Sequence, residues 1–122
     1  MAHILLIDDD EMLRDTLQQM LELDQHQVTT AADGREGLAQ WKPGRFALVI
    51  TDMLMPGTDG AQVIAELRQR DSNQPILAVS GGRRVLSPEF NLQTAGIAGA
   101  NLTLAKPFSR AQLREAVHQA LG

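Results

Sequence analysis

The 122 residues contain no cysteine, which removes a disulfide framework and gives no sign of an oxidising compartment. No apolar run reaches the length that a bilayer-spanning helix needs. Nor does a charged-then-apolar leader with a small-residue cleavage site open the chain, so the expectation is a soluble, cytoplasmic protein away from any membrane. Aromatic residues make up 3%, too few to build a stacking platform for a flavin ring. Basic residues are outnumbered, 11 Lys and Arg against 15 Asp and Glu, for a net charge of −4. They are scattered rather than gathered on one face, which argues against direct binding of duplex nucleic acid, whose phosphates must be neutralised. Only Lys42 and Lys106 are lysines, and each can be weighed singly.

What is present is an ordinary globular composition, 43% hydrophobic and 21% charged, in a length that suits one domain over residues 1–122. Short apolar runs alternate with helical periodicity. The runs cover His3–Asp8, Gln27–Ala31, Phe46–Asp52, Pro75–Ser80 and Asn101–Ala105, mostly continuous in Ile, Leu and Val as in strands buried on both faces. Leu13, Leu17, Met20 and Leu21 repeat at helical spacing, and Leu113, Val117, Ala120 and Leu121 do the same near the C-terminus. Shorter helices are expected over Arg35–Trp41, Ala61–Arg70 and around Pro88–Ala98, with a loop over 81–88. Strict alternation of strand and helix implies a parallel sheet with helices on both faces and right-handed crossovers. Ligands of such sheets sit beyond the carboxyl ends of the strands.

Those ends deliver a particular set of groups: Asp8 and Asp9 after the first strand, Asp52 after the third, Ser80 after the fourth, and Lys106 just after the fifth. Like charges brought together raise one another's pKa and destabilise the fold unless a cation offsets them. An all-oxygen site with few protein ligands suits Mg²⁺, and Mn²⁺ is expected to substitute. Lys106 offers a point charge and Ser80 a neutral donor, the groups a phosphoryl oxygen would seek. The bland alternative is helix capping, since Asp and Glu are favoured at a helix N-terminus. It suffices for Asp10 and Glu11. For Asp8 and Asp9, taken with Asp52 and Lys106, the metal and phosphoryl account is preferred.

The segments IDDDE, VITDMLMPGTDG, LAVSGG and LAKPF, in this order and spacing, resemble the receiver domains of bacterial response regulators. The resemblance implies a flavodoxin-like (βα)5 fold with strand order 2-1-3-4-5. It makes Asp52 the phosphoacceptor, served by a histidine kinase or phosphotransfer protein and switching an unidentified downstream protein. Asp9 would bind Mg²⁺ directly, Asp8 mainly through a metal-bound water, and the Leu54 carbonyl would be a backbone ligand. Ser80 and Lys106 would hold the other phosphoryl oxygens, and the Lys106–Pro107 bond would be cis.

The chain also departs from the family pattern. Thr103 stands where a Tyr or Phe often accompanies Ser80 in switching, so the aromatic readout is missing. Leu54 and Gly82 offer no polar side chain to orient an attacking water, which implies slow loss of the phosphoryl group. Arg83 and Arg84 read as solvated loop charge, with an acidic partner as the sharper alternative. Dimerisation through the last helices stays open, as does whether the receiver stands alone or is part of a longer regulator. The rival readings are a metal-dependent small-molecule phosphohydrolase, a flavin-binding module and an interaction domain that is never phosphorylated.

Overall fold

A computed structural model of the chain describes residues 2–53, 60–81 and 99–122. Five strands, β1 (His3–Ile7), β2 (Gln27–Ala31), β3 (Leu48–Asp52), β4 (Ile76–Gly81) and β5 (Leu102–Lys106), pair in parallel in the order β2-β1-β3-β4-β5. They alternate with helices α1 (Glu11–Leu23), α2 (Gly34–Gln40), α3 (Gly60–Arg70) and α4 (Arg110–Leu121). This is the doubly wound α/β arrangement expected from the alternation, in the flavodoxin-like strand order that the resemblance implied. The helix expected around Pro88–Ala98 lies outside the described residues.

The pleat sorts the apolar residues onto two faces with a period of two. Ile4 and Leu6 of β1, with Leu48 and Ile50 of β3, meet Leu17 and Leu21 of α1 and Leu113 and Val117 of α4. Leu5, Ile7 and Val49 face the other way, onto Val63, Ile64 and Leu67 of α3. All five residues of β3 are buried, as the central place in the sheet requires. Complete burial of each such side chain contributes about 1.5–3 kcal/mol relative to exposure. The edge strands are a correction to the two-sided burial expected: β2 and β5 are mostly half-exposed, because each lacks a neighbour on one side. Phe46 is buried core but precedes β3 rather than starting it.

Local rules explain the helix boundaries. Asp10 caps α1 by accepting from the Leu13 N–H at 3.2 Å, and Ser109 and Gln112 form a reciprocal capping box at α4. Asp24 ends α1, where a negative charge opposes the helix dipole. Two guanidiniums offset it: Arg110 and Arg114 of α4 donate to Asp24 Oδ1 at 2.8 and 2.9 Å. The Arg114 hydrogen bond, then that of Arg110, holds the Asp24 carboxyl below its ordinary range. At the same end of the sheet, buried Gln74 accepts from the Trp41 indole N–H at 2.9 Å and donates to the Phe46 and Pro75 carbonyls at 3.2 and 3.1 Å. No described helix is long and apolar enough to cross a membrane.

Candidate functional site

The strand ends bring the acids together as the topology demands. Asp8 lies one residue past β1, Asp52 is the last residue of β3, and one carboxylate oxygen from each of Asp8, Asp9 and Asp52 falls within 4.8 Å of the others. Asp8 and Asp52 are buried and Asp9 is half-buried. Lys106 is the last residue of β5, not the residue beyond it. Its Nζ stands 3.6 Å from Asp52 Oδ2 and 3.9 Å from Asp8 Oδ2. The Lys106–Pro107 peptide is cis, as the resemblance implied.

Each acid is held by its backbone surroundings. The Asp8 N–H donates to the Ala31 carbonyl at 3.1 Å, extending the β1–β2 ladder past its last pair. Asp8 Oδ1 accepts from the Asp10 N–H at 2.9 Å, and the Asp8 carbonyl accepts from Arg14 Nη1 at 2.8 Å. Behind Asp52, the buried Thr51 hydroxyl donates to the Asp52 carbonyl at 3.0 Å. The Met53 N–H donates to the Val79 carbonyl, carrying the β3–β4 pairing one residue beyond Asp52. Gly60, which opens α3, lies directly on this turn: a Cβ there would collide with the Asp52 carbonyl oxygen and sit 2.6 Å from the Met53 Cα. No other residue type fits so close an approach of helix to strand.

Burial is the largest influence on the Asp8 carboxyl and pushes its pKa above the ordinary value, against the pull of the Asp10 N–H and of Lys106. Among the described residues, three carboxylates converge here with one lysine. The donor set is all oxygen. It fits a hard divalent cation such as Mg²⁺, which takes one or two carboxylates and keeps several waters.

Of the other residues singled out in the sequence, Ser80 is in β4 with its Cα in register opposite Ala105. Thr103 is exposed on β5, in register with Ala78. Leu54, Gly82, Arg83 and Arg84 lie outside the described residues. Three further groups shape the site: Thr51, Arg14, and Gly60 at its close approach to β3. Arg14 left one usable signal, a cation in the first turn of a helix, where the dipole disfavours it.

Comparison with known proteins agrees with this geometry. A family model described as the response regulator receiver domain matches residues 4–118. An uncharacterised transcriptional regulatory protein of Bacillus subtilis, YkoG, is 32% identical over 120 residues, which are 98% of this chain and 51% of the relative. The C4-dicarboxylate transport transcriptional regulatory protein DctD of Pseudomonas aeruginosa is 37% identical over 98% of this chain and 25% of its own length. The chain thus spans about half or less of the curated relatives it matches. Among solved structures, a response regulator receiver domain protein from Clostridium thermocellum superposes with a TM-score of 0.90 at 28% identity, covering 99% of this chain and 94% of that one. The chemotaxis protein CheY4 of Vibrio cholerae gives 0.86 at 32% identity, with 98% of each chain covered.

Proposed function

This chain belongs to the response regulator receiver domain family of two-component signalling, and from that premise we propose that residues 1–122 form a single receiver whose Asp52 accepts a phosphoryl group. The observation that carries the reading is the placement of the Asp52 carboxylate: buried at the end of the central strand, 3.6 Å from the Lys106 ammonium and grouped with the carboxylates of Asp8 and Asp9. A structural acid would not be buried among two others. The donor is a histidine kinase or a phosphotransfer protein.

In the step, an Asp52 oxygen attacks phosphorus as the bond from phosphorus to the histidine nitrogen breaks. The electron pair returns to the imidazole, which takes up a proton. Charge spreads over the three equatorial oxygens, so positioning and positive charge supply most of the acceleration. The Lys106 ammonium, already within ion-pair distance of Asp52, passes to a phosphoryl oxygen. The Ser80 hydroxyl takes another. The residues that would hold Mg²⁺ or Mn²⁺ are Asp8, Asp9, Asp52 and the Leu54 carbonyl; when bound, the ion supplies charge neutralisation as two anions approach. The burial that raises the Asp8 pKa also keeps water from screening this charge.

Switching then draws Ser80 toward the new phosphoryl group and shifts the β4–β5 side of the sheet, with small, exposed Thr103 in place of an aromatic. The recipient is a downstream protein or a linked output segment, as the names of the transcriptional relatives suggest; the receiver itself, net acidic, does not contact nucleic acid. Pairing of two copies through the last helices is compatible with the exposed face of α4.

The test is incubation with a small acyl phosphate and Mg²⁺ followed by intact mass. One phosphoryl group should be gained by the wild type and none by Asp52→Asn or by the wild type with chelator. Multiple turnover of the donor by Asp52→Asn would favour the phosphohydrolase reading instead.

A further inference from the structure

Arg14 stands in the first turn of α1, where the dipole disfavours a cation, and its guanidinium forms no ion pair among the described residues. Instead Nη1 donates to a neutral group, the Asp8 main-chain carbonyl, at 2.8 Å. That choice of partner has a geometric consequence. The Asp8 carbonyl and the Asp9 N–H belong to one rigid peptide plane. Asp8 is tied to the sheet on its N-terminal side through its own N–H and the Ala31 carbonyl, and its carboxylate is tied to Asp10. Neither bond holds the plane that leads into Asp9.

We infer that Arg14 is a positioning residue for the acid pair: by gripping the Asp8 carbonyl it sets the peptide plane from which the Asp9 carboxylate reaches the cluster with Asp8 and Asp52. The half-buried Arg14 side chain suits this role, because the planar guanidinium fork loses little freedom for each bond it makes. Outer groups that orient metal ligands typically change metal affinity by about 10- to 100-fold when removed. The inference rests on the reading of the acid cluster as a Mg²⁺ seat.

The test is titration of the metal-free protein with Mg²⁺ alone, followed by calorimetry and by the amide spectrum. Arg14→Met keeps the aliphatic stem and removes the donor. It should weaken Mg²⁺ binding about 10-fold or more, and the difference should persist at high salt, because a lost hydrogen bond is not screened as a distant charge is. The Asp9 amide resonance should also move in the metal-free variant. Binding within about twofold of wild type, a loss that vanishes at high salt, or an unmoved Asp9 resonance would each overturn the inference. Arg14→Gln, polar but too short to span the same gap, carries the same expectations should the methionine variant fail to fold. Wild-type protein that binds no Mg²⁺ overturns the functional reading and this inference with it; wild-type binding matched by the variant overturns the inference alone.

Discussion

Replacing Gln74 by Met tests how the sheet is closed at the end remote from the acids. Gln74 is 3% exposed and joins three elements: Trp41 after α2, Phe46 before β3, and Pro75 before β4. Methionine keeps the length and removes every polar atom. The Pro75 carbonyl retains the Val49 N–H at 3.0 Å, so it is not left bare. The Trp41 indole N–H and the Phe46 carbonyl lose the partner that Gln74 supplies. Each buried polar group left unsatisfied costs about 1–3 kcal/mol, so the variant should be destabilised by about 2–4 kcal/mol, a fall in Tm of roughly 10 °C. Urea unfolding followed by far-UV circular dichroism measures it. A double variant, Trp41→Phe with Gln74→Met, removes the orphaned indole and should cost less than the sum of the single changes by about 1 kcal/mol. A Gln74→Met loss below about 0.5 kcal/mol, or strict additivity in the double variant, would refute the reasoning.

Three further outcomes are expected. Asp8→Asn should stabilise the metal-free protein at neutral pH, since burial raises the folded pKa of Asp8 above 3.8 and ionisation of this group therefore disfavours folding. The advantage should shrink as pH falls toward and below that value; thermal melts at pH 7 and pH 4 check it, and a less stable Asn variant at pH 7 would contradict it. Gly60→Ala must push α3 away from the Asp52–Met53 backbone, so phosphorylation by acyl phosphate should slow by about tenfold or more as the nucleophile is displaced; an unchanged rate would show that the turn yields freely. Leu54→Asn combined with Gly82→Glu should hasten loss of the phosphoryl group, followed by intact mass over time, and an unaltered half-life would remove water orientation as the controlling factor.

Much of this architecture could be read from hydrophobic periodicity, because β1, β3 and β4 carry uninterrupted apolar runs that only a central place in a sheet would bury. The ends of strands were less legible. Phe46 is as apolar as a strand residue, yet it precedes β3, and Lys106 belongs to β5 although its charge suggests a loop. The acids and Lys106 could be picked out because parallel topology sends every strand terminus to one rim, so residue type and chain order suffice to place them together. Arg14 and Thr51 were harder to place, because each acts through a single hydrogen bond to a main-chain carbonyl, and so was Gln74, because its partners Trp41 and Phe46 lie far off along the chain. That a helix rests on β3 at Gly60 appears only when both backbones are seen.

The contact at Gly60 also sets a direction for whatever happens to Asp52. With helix backbone seated against its carbonyl there is no slack behind the residue, which works like a hammer block braced against a wall. Bulk added to its side chain would therefore have to be accommodated forward, among groups across the rim such as Lys106, and not by a recoil of its own backbone.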